Sequence, residues 1–269
     1  MAYTVDITDP SDPRVDDFRD LTTADRRPDR PGGRGLVIGE GTVVVERMLG
    51  TPFEPYALLG VERRYEQLRA QLAPLRAPYF TVNPDVMAQV VGFHLNRGVL
   101  AVARRPAARD MAEILSTART VAVLEGVNDH ENLGAIFRNA AALGVDAVIL
   151  GDRCSDPLYR RSVRVSMGHV LRVPFAPAAA WPESIGVLQD YGFHVVALTP
   201  AQPSLPLANA VTPDKVALLL GAEGPGLTEQ ALTRADARVH IPMSAGVDSL
   251  NVATAAAVAF YERARLRDY

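Results

Sequence analysis

Short apolar runs separated by amphipathic stretches organise the second half of the chain. Residues 121–124, 147–150, 194–198, 216–220 and 239–241 are such runs, each bounded by Gly, Pro or Asp. Runs of this length with little polar alternation predict strands buried on both faces, hence a parallel sheet covered by helices. Gly144 follows a helical pattern over 132–143 and Gly192 follows one over 183–191. Both predict helix stops, because glycine enters the left-handed region without a Cβ clash. The Ala-rich stretch 252–264 predicts a last helix with a surface smooth enough for close helix approach. Residues 35–103 repeat the scheme on a smaller scale. Apolar runs at 36–38, 43–49, 56–61, 79–82 and 98–103, with helical patterns between them, predict a small α/β domain. Residues 1–34, polar and rich in Asp, Arg, Pro and Gly, predict a flexible arm. Residues 104–118 predict a linker, and 119–269 the larger α/β domain.

Composition narrows the setting. A chain of 269 residues can bury a sizeable core, and ~100–200 residues per domain suggests two domains. The single cysteine, Cys154, excludes an intrachain disulfide. No charged leader with an apolar core opens the sequence, and no run approaches the ~20 apolar residues that span a bilayer. The expectation is a cytoplasmic protein without a membrane partner. Five scattered histidines and one cysteine predict no metal site. The net charge of -3 and pI of about 6.0 argue against a simple basic nucleic-acid binder. Distribution matters more than the sum. Residues 157–182 carry Arg160, Arg161, Arg164 and Arg172 with no acidic residue among them. Two readings are open, a phosphate-tracking surface or a solvated helix face.

Three polar stretches follow the predicted strands. The first is Glu125-Gly-Val-Asn-Asp-His-Glu-Asn132-Leu-Gly134-Ala-Ile-Phe-Arg138. The second is Leu218-Leu-Leu-Gly221-Ala-Glu223-Gly224-Pro-Gly226-Leu227. The third, Ile241-Pro-Met-Ser-Ala-Gly-Val-Asp-Ser-Leu-Asn251, runs into the Ala-rich helix, so that Ser249 and Asn251 stand at a helix entrance. In this order they resemble the three signature motifs of the SpoU/TrmH branch of the SPOUT RNA methyltransferases. The resemblance covers residues from about 121 to the C-terminus. His130 departs from it, since proline is common at that position, but Asn132, Gly134 and Arg138 are in place. A shorter phrase, Gly92-Phe-His94-Leu-Asn-Arg97-Gly98-Val-Leu-Ala101, resembles the L30e-like substrate-binding domain that precedes many SpoU catalytic domains. The resemblance implies a parallel-sheet SPOUT domain with a trefoil knot, a homodimer, and S-adenosyl-L-methionine as cofactor. It implies RNA 2'-O-ribose methyl transfer on a structured RNA, rRNA before tRNA. A non-catalytic RNA-binding or ribosome-assembly factor, or a small-molecule nucleotide-binding enzyme, would carry the same fold.

The same resemblance implies a site. Its cofactor contacts are Thr199, Gly221, Ala222, Gly224, Ile241, Met243 and Leu250; its catalytic group is Arg138, Asn132, Glu223, Ser249 and Asn251. The sulfonium methyl is already electrophilic, so the protein has to position, and to manage one proton. Glycines let backbone approach a flat ligand closely, although an ordinary strand-to-helix turn uses them too. Arg138 falls six residues after Asn132, on the second turn if Asn132 starts a helix. A guanidine is a poor general base, since removing its proton at neutral pH costs roughly 7 kcal/mol. A charged Arg138 that binds phosphate and stabilises a developing alkoxide is the preferred role. A surface arginine on an amphipathic helix is the competing one. Asn132 and Asn251 can each donate and accept, Glu223 can accept or steer Arg138, and Ser249 serves equally well as a cap or a substrate contact. His94 and Trp181 carry no assigned role.

Overall fold

The computed structural model describes residues 2–21, 35–247 and 249–267, and these fall into two compact units. Unit 1 comprises residues 1–107 and 156–172, and unit 2 comprises 108–155 and 173–269. Residues 22–34 of the expected arm lie outside the described residues.

Unit 1 is built on strands β1 (Tyr3–Asp6), β2 (Leu36–Glu40), β3 (Ala57–Gly60), β4 (Pro78–Thr81) and β5 (Val99–Arg104) in the order β1-β4-β3-β5-β2. β1 and β3 run parallel to β4, and β5 runs antiparallel to both β3 and β2. Helices α1 (Thr42–Met48), α2 (Glu62–Leu72) and α3 (Pro84–Val91) connect them. Two expectations are corrected here. The first residues are not all arm, because β1 pairs with β4 and Ile7, Val15 and Phe18 are buried in the core. The valine-rich run 43–49 is helical. Gly41, at φ 90°, turns the chain out of β2, and Val44, Val45 and Met48 then share one buried face while Val43 is exposed. Burial at helical spacing has overridden the β-propensity of the valines.

The arginine-rich segment also behaves differently from either reading. Residues 156–172, with helix α6 (Arg160–Val165), form part of unit 1. The Arg160 guanidinium donates to Glu40 at 2.9 Å and lies over the Phe93 ring, 4.8 Å from its centre. Glu40 is buried, and Arg97 and Arg164 stand 3.8 and 4.0 Å from its carboxylate. Burial pushes the Arg160 guanidinium below its ordinary value, with the neighbouring Glu40 carboxylate opposing that shift. Arg105 grips Asp156 at 2.5 and 3.1 Å, and Arg172 donates to the backbone of Arg47 at 3.2 Å. These side chains fasten the segment onto unit 1. Arg160→Met is expected to destabilise unit 1 by about 2–3 kcal/mol in denaturant unfolding. That is below the ~3–5 kcal/mol of a fully stranded buried charge, since Arg97 and Arg164 stay close to Glu40.

Unit 2 contains the predicted parallel sheet. Its strands are β6 (Thr120–Glu125), β7 (Ala147–Leu150), β8 (Phe175–Pro177), β9 (His194–Leu198), β10 (Leu205–Pro206), β11 (Val216–Gly221) and β12 (Ala237–His240). They lie in the order β10-β12-β9-β11-β6-β7-β8, and every neighbouring pair is parallel. Among the described residues the α-helices α4 (Met111–Thr117), α5 (His130–Ala142), α7 (Ser184–Asp190), α8 (Glu229–Arg234) and α9 (Val252–Arg267) accompany them. Gly144 (φ 70°) and Gly192 (φ 82°) follow α5 and α7 as expected. The segment expected as linker is corrected, because α4 belongs to unit 2 and buries Ile114 and Leu115 in its core. β11, inserted between β9 and β6, puts a switch of connection direction in mid-sheet. In open parallel sheets such a switch opens a crevice at the carboxyl ends of the strands.

Candidate functional site

The crevice is built from strand ends. β11 aligns with β6 so that Gly221 stands opposite Glu125, and with β9 so that Leu219 stands opposite Ala197. Beyond β11 the chain makes a tight loop, closed where the Gly226 amide donates to the Ala222 carbonyl at 3.0 Å. Gly224 and Gly226 take φ of 83° and 70°, and a Cβ on Gly221 would fall on the backbone of Gly226 and Leu227. The glycines are therefore what lets the loop fold back over its own strand. Thr199 continues β9 and donates its amide to Val239 at 2.8 Å, while Ile241 leaves β12 and begins the loop that ends at α9.

These loops enclose a cavity of about 360 Å³. Its walls include Leu198, Leu220 and Val239, and all seven residues expected to touch a cofactor: Thr199, Gly221, Ala222, Gly224, Ile241, Met243 and Leu250. Glu223, Ser249 and Asn251 line it as well. Asp248, in the third motif, lies outside the described residues.

Asn251 ties the motifs together. Its backbone carbonyl accepts from Ala255 at 2.9 Å, and its Oδ1 accepts from the amides of Ala253 and Thr254 at 3.0 and 3.1 Å, which caps α9. The amide orientation is thereby fixed, so Nδ2 points the other way. There it donates to Asn132 Oδ1 and Glu223 Oε1, both at 2.7 Å. One residue from each motif meets in this cluster. Among the described residues the second Glu223 oxygen and the Asn132 amide nitrogen have no protein partner, so an acceptor and a donor remain available at the cavity rim.

Arg138 stands apart from that cluster. Asp129 caps α5 by accepting from Glu131 and Asn132, each at 2.8 Å, so the helix begins two residues before Asn132. Arg138 consequently lies on the third turn, where the sequence suggested the second. Its helical position is about 120° around from Asn132 at ~100° per residue. Arg138 is exposed, does not line the cavity, and makes no hydrogen bond or ion pair among the described residues. His130 occupies the first position of α5, where proline also fits because that amide has no partner within the helix.

Sequence reasoning missed Glu125. It is buried, and its carboxylate accepts from Trp181 Nε1 at 2.7 Å, Thr228 Oγ1 at 2.8 Å and the Thr228 amide at 2.9 Å. The signal was an acidic residue closing an apolar strand. Among the described residues no helix is long and apolar enough to cross a membrane.

Comparison with known proteins agrees with this arrangement. The model of the SpoU rRNA Methylase family matches residues 119–261. An uncharacterized tRNA/rRNA methyltransferase of Mycobacterium tuberculosis (strain H37Rv) is 60% identical over 263 residues, covering 97% of this chain and 91% of that protein. The 23S rRNA (guanosine(2553)-2'-O)-methyltransferase RlmP of Bacillus subtilis is 30% identical over 182 residues, 68% of this chain and 71% of that one. The crystal structure of an AdoMet-bound rRNA methyltransferase from Sinorhizobium meliloti superposes with a TM-score of 0.83 at 26% identity, covering 97% of this chain and 98% of that one.

Proposed function

Because the chain belongs to the SpoU rRNA methylase family, whose tRNA/rRNA methyltransferases it resembles over nearly its whole length, we propose that it transfers a methyl group from S-adenosyl-L-methionine to a ribose 2'-hydroxyl of a structured RNA, with rRNA as the substrate. The observation that carries this reading is the meeting of Asn132, Glu223 and Asn251 at the rim of a cavity walled by the glycine loop. The cavity has the size of a small-molecule site, ~300–1,000 Å³, and combines apolar walls with a few polar groups. Leu198, Leu220, Val239 and Ile241 suit the faces of a purine, and the Glu223 carboxylate complements a positively charged ligand. The cofactor fits these residues and supplies an electrophilic methyl that needs no further activation.

The chain's own groups then do the positioning. Thr199, Gly221, Ala222, Gly224, Met243 and Leu250 hold the cofactor from the loops, and Asn251 fixes Asn132 and Glu223 where they can take a ribose hydroxyl. Ser249 contacts the substrate from the same rim. Arg138, charged and unclaimed by the protein, binds a phosphate of the RNA and stabilises the 2'-oxygen as its proton passes to solvent water late in methyl transfer. An arginine off the cavity wall in one chain accords with a site completed in a homodimer. Unit 1 serves as the L30e-like RNA-holding domain, the SPOUT fold carries the trefoil knot that the family resemblance implies, and the protein works in the cytoplasm. The 2'-O-methyltransferase name of the Bacillus relative and the rRNA in its name and in that of the Sinorhizobium structure favour ribose and rRNA.

Two measurements test the proposal. Calorimetric titration with S-adenosylmethionine should give saturable one-site binding, and its absence removes the methyltransferase in favour of a non-catalytic RNA-binding factor. Mapping of ribose methylation in total RNA from a deletion strain should reveal one lost mark in rRNA. A mark lost from tRNA instead would move the substrate, and no lost mark would refute the activity.

A further inference from the structure

The glycine loop is held at both ends, and one buried side chain supplies the second hold. At its entry the β11–β6 ladder fixes Gly221 against Glu125. At its exit stands Thr228, two residues beyond Gly226, whose hydroxyl also caps α8 by accepting from the Ala231 amide at 3.3 Å. Glu125 reaches across to that exit. Its carboxylate takes both Thr228 donors at 2.8 and 2.9 Å, and the same Oε1 takes the Trp181 indole N–H at 2.7 Å. The side of the loop is confined too, because a Cβ on Gly126 would come within 3.1 Å of the Ala222 Cβ.

Glu125 is 1% exposed, and no lysine or arginine pairs with it among the described residues. Three donors replace the lost water. An indole N–H and a backbone amide can only donate, so they require an acceptor on both oxygens. Glutamine in this position would turn an NH2 group toward one of them. A carboxylate is thus specified by its surroundings, although it touches no ligand site directly. Thr228 and Glu125 both lie outside the cavity lining.

We propose that Glu125 is a positioning residue: through Thr228 it sets the height of the loop 222–226 over the cavity, and thereby the affinity for the methyl donor, while leaving the transfer step unchanged. This rests on the reading of the cavity as the S-adenosylmethionine site. Trp181, the only tryptophan of the chain, is bonded to the same carboxylate and reports on it by fluorescence.

The test compares the full-length protein with Glu125→Gln, Thr228→Val and Thr228→Ser. Affinity is read by titration with S-adenosylhomocysteine, and kinetics by methylation of rRNA from the deletion strain at varied S-adenosylmethionine. Glu125→Gln is expected to raise the Kd and the cofactor KM about 10- to 100-fold, as for a lost hydrogen bond to a charged group, with kcat within about twofold. Trp181 emission should shift, and hydrogen exchange of amides 222–227 in the unliganded protein should accelerate. Thr228→Val should follow in the same direction, and Thr228→Ser, which keeps the hydroxyl, should recover wild-type affinity. Unchanged affinity in a folded Glu125→Gln, a fall in kcat at unchanged KM, or equal behaviour of Thr228→Ser and Thr228→Val overturns the proposal. If Glu125→Gln does not fold, the Thr228 pair decides. Should the wild type itself bind neither ligand, the cofactor reading of the cavity falls, and the exchange rates of 222–227 still decide whether Glu125 holds the loop.

Discussion

Replacing Arg138 by alanine is expected to leave S-adenosylmethionine binding within about twofold of wild type and to lower methyl transfer by ~10²–10³-fold or more, the scale for removing a group that stabilises transition-state charge. The two halves of this expectation come from one observation. Arg138 is exposed and lies outside the cavity lining, so cofactor affinity has no reason to depend on it. Within the protein its guanidinium has no partner among the described residues, which leaves it for phosphate and for the developing alkoxide. Arg138→Lys should recover only a small part, because an ammonium keeps the charge but lacks the planar fork that grips two oxygens. Calorimetry and single-turnover methylation on the same preparations check both halves. Equal loss of binding and turnover would assign Arg138 to the cavity, and full activity of the alanine variant would remove it from the mechanism.

The second large effect is expected from Asn251→Asp. Aspartate caps helices as well as asparagine does, so the bonds to the amides of Ala253 and Thr254 survive and the melting temperature should move by only a few degrees. The other half of the side chain is inverted. Two donor bonds at 2.7 Å, to Asn132 and Glu223, become contacts between acceptors, one of them between two carboxylates. Methyl transfer should fall ~10- to 100-fold, in keeping with ~1.5–3 kcal/mol for losing a hydrogen bond to a charged group. Asn251→Ala makes the contrast, since it also loses the cap, worth ~1 kcal/mol, and should melt lower. A fully active Asn251→Asp would show that the three-residue cluster is only a staple of the fold.

What the sequence announced of this molecule was whatever depends on neighbours in the chain. β6, β9 and β11 were legible because an uninterrupted apolar run is what a strand buried on both faces requires. The helix stops at Gly144 and Gly192 and the cap at Asn251 are equally local. The cavity wall was legible through the order of the three motifs, which no single glycine loop would have supplied. Illegible were features decided at a distance. β1 is a four-residue edge strand, largely exposed, that finds its partner some seventy residues away. The valines of α1 carry strand propensity and are helical only because Val44, Val45 and Met48 find one core to fill. Arg160 reads as a surface charge until Glu40, 120 residues earlier, is placed beneath it. Glu125 and Trp181 are unremarkable in a sequence because their bond closes across 56 residues. Arg138 falls on the third turn and not the second because the Asp129 cap starts α5 ahead of Asn132, which the spacing from Asn132 alone does not reveal.

The division of unit 1 into two stretches of the chain bears on any attempt to excise or transplant it. A fragment stopped after residue 107 would lack 156–172, and with it Arg160 and Arg164 beside the Glu40 carboxylate and the Asp156 that Arg105 clasps. Such a truncation would leave Glu40 at the end of β2 with Arg97 alone beside it and an uncovered flank, and would fail to report on what intact unit 1 can hold. A faithful minimal head has to graft the later piece back onto the earlier one, and a swap between relatives has to exchange both pieces together.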